Sequence, residues 1–285
     1  MSSMKIRNII LSVIAIISLC ECTKEKSEDS YTNMHIVTDN ERASLFFHTV
    51  FREAENAWAT IHREDYKSGT YSDPASTSTG YKKLTYNEDT KTVTIDYNAW
   101  LSDNLLLVGT ISVKFDINSY RIDKQTASTY LTAFSINAHN IVGESKIQYR
   151  KVESSDNDHY TYTLLDGAIH EEGSSKPILI SGAVTNGQYE RKEGSETFLQ
   201  DDDVWAYSGA MTGTLRNDPN LKYTNTVLTT YATVSGEEEN GTVHYAFSCT
   251  TALSGVSQIK ASGRPDIIFG YYCSGIDFLS VTRVD

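Results

Sequence analysis

Proline is scarce in this sequence, at four residues in 285, so glycine, asparagine and aspartate must make most of the turns. Basic residues are outnumbered: 25 Lys and Arg stand against 37 Asp and Glu, a formal net charge of −12. A phosphate backbone needs a basic footprint, and no stripe of Lys and Arg occurs, which excludes nucleic acid as a partner. The same balance excludes electrostatic attachment to an anionic membrane. Long apolar runs are missing as well. The longest, residues 9–19, would reach only about 16 Å as a helix. A hydrocarbon core of about 30 Å is out of its range. Cysteine is limited to four positions, two beside that run and two near the end.

What is present begins with that run. Lys5 and Arg7 precede it, and Cys20 and Cys22 follow it at once. A basic n-region, a short apolar h-region and a cysteine are the parts of a lipoprotein leader. Leu19 stands three residues before Cys22, which favours Cys22 as the acylated residue, with Cys20 as the alternative. Glu21 and Leu19 are both larger than the residue usual just before such a cut. An ordinary secreted protein with incidental leader cysteines is the alternative reading. Several acyl chains, each buried methylene contributing about 0.8 kcal/mol, anchor a protein stably. The leader is then 1–21 and a polar tether 22–37, in which TKEKSEDS resembles the charged export signal of surface lipoproteins. Cutting before Cys22 removes Lys5, Arg7 and Glu21, leaving the mature chain one charge more negative.

One helix is expected over 38–63. Thr38 and Glu41 have capping-box spacing, and Ala43, Phe47, Val50, Ala54, Ala57 or Trp58, and Ile61 recur at three and four residues. Arg42, Glu53, Glu55 and Asn56 fall largely on the other faces. Residues 64–80 are polar and read as a loop. From 81 to 285 the pattern is strand and turn. Leu107, Ile111, Val113 and Phe115 alternate with Val108, Thr110, Ser112 and Lys114, the signature of a half-buried strand. Asn186-Gly187, between two β-prone runs, predicts a two-residue hairpin. Further strands are expected at 92–97, 131–137, 144–150, 160–168, 204–214, 223–234, 243–249, 267–273 and 276–284. No helical pattern separates them, so the fold class is mainly β: a large twisted antiparallel sheet of about 10–12 strands, forming a half-barrel or sandwich. The amphipathic helix would plug its concave face or cap an end.

Val243, Tyr245, Phe247 and Cys249 share one face of their strand, as do Ile267, Phe269, Tyr271 and Cys273. In an oxidising compartment this predicts a buried Cys249–Cys273 disulfide between near-neighbour strands, stabilising by about 3–4 kcal/mol. Two free buried thiols and a metal or redox pair are the alternatives.

VWAYSGAMTG over 204–213, the Thr/Tyr-rich 223–234, Cys249 and the terminal FGYYCSGIDFLSV, with TIDY at 94–97, FSINAHNIVG at 134–143 and ISG at 180–182, resemble a family of uncharacterised β-rich Bacteroidota surface lipoproteins. Where that family carries an acidic pair near its second cysteine, this chain has Ser274, Gly275, Ile276 and Asp277. The resemblance implies fold and compartment and brings no activity.

No familiar catalytic constellation stands in the sequence. None of the seven histidines makes H-E-x-x-H, H-x-H or a Cys/His cluster, and His48 and His62 read as surface or boundary residues of the helix. G-x-S-x-G, a P-loop and a dinucleotide fingerprint are missing. Asp201, Asp202 and Asp203 form the densest acidic cluster, a solvated loop by default and a weak calcium candidate. Trp100 and Tyr97 are weak candidates for stacking on a sugar ring, against the plainer reading that Trp100 packs on the sheet. No cofactor is expected. The sequence-level expectation is a non-catalytic lipoprotein anchored in the outer membrane, facing the exterior, with a structural or binding role toward a glycan or protein. A carrier of lipid or another hydrophobic ligand, with its cavity in the curved sheet, is the first alternative and a hydrolase the second.

Overall fold

A computed structural model describes residues 35–57, 60–61, 68–71, 80–102, 105–116, 126–150, 158–170, 177–192, 204–215, 218–227, 243–246, 255–272 and 275–282. The chain divides into two compact units, Met1–Asp39 and Asn40–Asp285. One helix, α1, covers residues 35–57, with helical conformation again at 60–61. It already runs at His35, so Thr38 is an exposed residue within the helix and not its cap.

The rest is strand: β1 (Gly69–Tyr71), β2 (Tyr81–Asn87), β3 (Thr92–Ser102), β4 (Leu105–Phe115), β5 (Thr126–Ile136), β6 (His139–Arg150), β7 (Asp158–His170), β8 (Pro177–Lys192), β9 (Val204–Leu215), β10 (Asp218–Val227), β11 (Val243–Ala246), β12 (Val256–Ala261), β13 (Asp266–Tyr272) and β14 (Gly275–Thr282). The protein is thus mainly β, an antiparallel sheet with one N-terminal helix, as the alternation predicts. Strands β1 to β10 pair in sequence order, followed by β12, β13 and β14, while β11 pairs with β9. Among the described residues no ladder joins β14 back to β1. Two expectations change. The segment read as a loop over 64–80 contains β1, a short edge strand on β2. Asn186-Gly187 does not reverse the chain. It lies inside β8, and both neighbouring ladders break register there, between Tyr162 and Leu164 on β7 and between Thr185 and Gln188 toward β9. The backbone freedom that suits a tight turn also suits a β-bulge.

One two-residue hairpin among the described residues turns at Asn137-Ala138, where φ is 49° and 64°. Positive φ at both central positions matches the strand twist. A line of bulges crosses β3 to β7 at one level. Ala99, Ala133 and Asp166 hold φ of 49°, 47° and 49° on β3, β5 and β7. Each inserts one residue and swaps which parity faces inward. On β7, Tyr160, Tyr162 and Leu164 are buried before the bulge, and Gly167 and Ile169 after it. On β5 the inward set passes from Ala127 and Thr129 to Phe134 and Ile136. Opposite these bulges the backbones come very close. A Cβ added at Gly109, where φ is 99°, would lie 2.1 Å from the Ala133 carbonyl oxygen.

Candidate functional site

The inner face of the first strands follows from alternation. Leu84 on β2, Val93, Ile95 and Tyr97 on β3, and Leu107, Ile111 and Val113 on β4 are buried. Against them lies the part of α1 that belongs to the second unit, and its burial is not confined to one stripe. Phe46, Phe47, Val50 and Phe51 are buried, but so are Ser44, His48, Thr49, Arg52, Glu53 and Glu55. Phe51 makes edge contacts with Tyr160 and Tyr162, both at 5.6 Å between ring centroids. Such pairs add about 0.5–1.5 kcal/mol beyond the area they bury.

The buried polar groups converge on Glu53. Its carboxylate accepts from Lys82 Nζ at 2.6 Å, from the Tyr97 hydroxyl at 2.6 Å and from Ser102 Oγ at 3.3 Å. Arg52 Nη2 lies 3.8 Å from the same carboxylate and donates to Ser102 Oγ at 3.2 Å. The Lys82 ammonium also sits 5.6 Å from the Tyr97 ring centroid. One turn of helix is thereby fixed to β2 and β3. On the opposite flank Tyr160 of β7 donates to Glu55 at 3.0 Å. Nearer the start of the unit, His139 Nδ1 donates to the Asn137 carbonyl at 2.9 Å, leaving Nε2 to accept from Arg42 Nη1 at 3.3 Å. The Phe46 ring lies edge-on to the same imidazole.

Burial alone would raise the Glu53 pKa. The charges of Lys82 and Arg52, with hydrogen bonds from Lys82 and Tyr97, outweigh it and bring the value down to about 2. Burial and the Glu53 charge push the Tyr97 phenol well above its ordinary value. Burial, then Arg52, holds His48 well below the usual imidazole range, so His48 is neutral. A general acid or base works best with a pKa near the working pH. Glu53 is ionised and its oxygens are engaged by four neighbours, so this cluster has the chemistry of a fastening.

Several expectations meet this geometry. Glu53 and Glu55, placed on the faces away from the core, are buried, because β2, β3 and β7 supply an ammonium and two phenols to receive them. Arg42 and Asn56 are half-buried. His48, read as a surface or boundary residue, is buried, since α1 is enclosed on more than one side. Tyr97 is 4% exposed with its hydroxyl on Glu53, which closes it to a sugar ring. Trp100 is half-buried on β3. Cys20, Cys22, His62, Trp58, Asp201, Asp202, Asp203, Cys249 and Cys273 lie outside the described residues. The strands leading to the late cysteines are not ladder neighbours: β11 pairs with β9, and β13 with β12 and β14. Among the described residues no group of three His, Cys, Asp or Glu is placed to hold a metal, and no helix is long and apolar enough to cross a membrane.

The fastening itself was missed, although two signals pointed to it. Glu53 stands three residues after Val50 and four before Ala57, at the edge of the apolar stripe. Tyr97 continues the inward phase of Val93 and Ile95, and Lys82 that of Leu84. No family model, curated protein or solved structure matches this chain.

Proposed function

We propose that this is a non-catalytic lipoprotein of the outer membrane, acylated at Cys22, facing the exterior and serving there as a structural or binding element. The observation that carries the non-catalytic reading is the state of Glu53. The best-built polar cluster in the described residues keeps a carboxylate ionised well below neutral pH and uses its contacts with Lys82, Tyr97 and Ser102 to tie α1 to β2 and β3. The basic, apolar and cysteine order of residues 5–22 supports the anchor. Cys249 and Cys273 are proposed to be oxidised to a disulfide in that compartment. A carrier would need an open concave face lined by aliphatics. Phe47, Val50 and Phe51 of α1 occupy such positions instead, at 2%, 2% and 0% exposure, and this favours the structural or binding reading.

The test is metabolic labelling of the full-length chain with a fatty acid in an exporting host, with Cys22→Ser and Cys20→Ser beside it. Label should appear in the wild type and in Cys20→Ser and vanish in Cys22→Ser. An unlabelled wild type overturns the anchor. Protease treatment of intact cells then reports exposure to the exterior.

A further inference from the structure

Over β2 to β7 the two ends of the sheet differ in charge. At one end the connections read NEDTK over 87–91, DINSYRIDKQ over 116–125 and KVESSDN over 151–157. At the other end lie the β3–β4 and β5–β6 hairpins. Asp103 is the only charged residue in 98–109, and 131–143 has none. Acidic residues return with Glu171 and Glu172, after β7. The two neutral hairpins are joined: Asn137 donates its backbone N–H to the Leu106 carbonyl, and its side-chain oxygen accepts from the Leu106 N–H.

This neutral end also shows apolar side chains to solvent. Leu101 and Leu106 are cross-strand partners, 44% and 40% exposed. Val108 follows two residues on along the same face at 39%, and Val142 of β6 stands on that face at 38%. Their alternates Leu105, Leu107 and Ile141 point into the core, so this is a second apolar surface on the outside of the sheet. The second unit begins at this end: Arg42, three residues into it, bonds His139 at the tip of the β5–β6 hairpin.

We propose that this neutral end rests on the lipid surface to which the chain is anchored. The inference depends on the lipid-anchor reading above. From Cys22 to His35 the chain can extend at most about 45 Å, at ~3.3–3.6 Å per residue. The tether thus limits how far the sheet can move from the bilayer, and a contact too weak to recruit a free protein suffices once it is intramolecular. The charge asymmetry sets the direction, because the charge-dense end resists leaving water. Exposed Leu and Val, free of charge, suit the interfacial layer.

The experiment uses the full, natively lipidated protein in phosphatidylethanolamine vesicles doped with a diazirine-bearing phospholipid, with photo-adducts mapped by mass spectrometry. Adducts should concentrate in peptides covering 98–109 and 131–143, at least tenfold above those covering 87–91. Leu101→Ser with Leu106→Ser should lower them severalfold while the acylated protein stays on the vesicles and its circular dichroism is unchanged. Adducts spread evenly or absent in vesicle-bound wild type overturn the contact and leave the anchor standing. A chain without an acyl mass that fails to float with vesicles overturns both.

Discussion

The helix-facing side of the sheet and its outer side at the neutral hairpins place charge and grease in opposite ways. Inside, Glu53, Glu55, Arg52 and His48 are buried among Phe47, Val50 and Phe51. Outside, Leu101, Leu106, Val108 and Val142 face water. The inner charges are compensated: Lys82, Tyr97, Ser102 and Tyr160 meet the two carboxylates. No such compensation accompanies the outer leucines and valines. A buried charge with full partners is a matter of architecture, whereas exposed aliphatics beside hairpins with a single charge point to something that covers them.

The largest effect should come from breaking the inner half of this contrast. Glu53→Ala leaves the Lys82 ammonium without its carboxylate, and removing one partner of a buried pair costs about 3–5 kcal/mol. Chemical denaturation measures it. Replacing both charges, Glu53→Leu with Lys82→Met, should cost less than Glu53→Ala alone; an equal or greater loss would mean that the ion pair is not what matters. The acid response follows from the same group. Its folded pKa of about 2 lies below the ordinary 4.5, so its stabilisation is complete above about 4.5 and is lost as pH falls through about 2. The span corresponds to roughly 3 kcal/mol. Glu53→Gln should flatten stability over that window, and an unchanged acid slope would show that the stabilisation belongs to other carboxylates.

Both sides of the contrast were partly legible in the sequence. Period-two alternation located β4 and its inward set, because burial on one face writes itself into every second residue. The helical period located α1 but left Glu53 on another face, at the edge of the apolar stripe. The polarity of Glu53 pointed outward as well, and its inward carboxylate is compensated chiefly by partners distant in sequence, Lys82, Tyr97 and Ser102. Asn186-Gly187 shows the other kind of blindness. A local pair reveals which backbone angles are permitted, and the neighbouring strands decide whether they form a turn or a bulge. The bulges at Ala99, Ala133 and Asp166 carry no glycine signal at all. Their parity swap is visible only once the buried residues are known.

An intermediate effect is expected where the bulged backbones touch, between the inner fastening and the outer hairpins. Gly109→Ala must hold a Cβ at φ 99° and displace the Ala133 carbonyl oxygen, 2.1 Å from where that atom would sit. Strain of this kind costs about 1–3 kcal/mol. A thermal melt of the variant measures it. A loss within about 0.5 kcal/mol, the range of an ordinary surface change, would show that β4 and β5 part easily along this line.

The smallest effect lies at the outer extreme of the comparison and has the opposite sign. Ala138 is exposed, at φ 64°, in the turn that joins β5 to β6. The left-handed region costs an L-residue roughly 1–2 kcal/mol. Glycine adopts it freely and returns about half to one kcal/mol of that in unfolded-chain entropy. Ala138→Gly should therefore stabilise by up to about 1 kcal/mol, because the methyl it deletes buries nothing. For a domain of this size that is about 2–4 °C in Tm. The lipid adducts over 131–143 should not change, since Leu101, Leu106, Val108 and Val142 are untouched. A gain in stability that came with lost adducts would make the turn's own shape part of the contact, and would move the proposed surface from the strand faces to the hairpin tip.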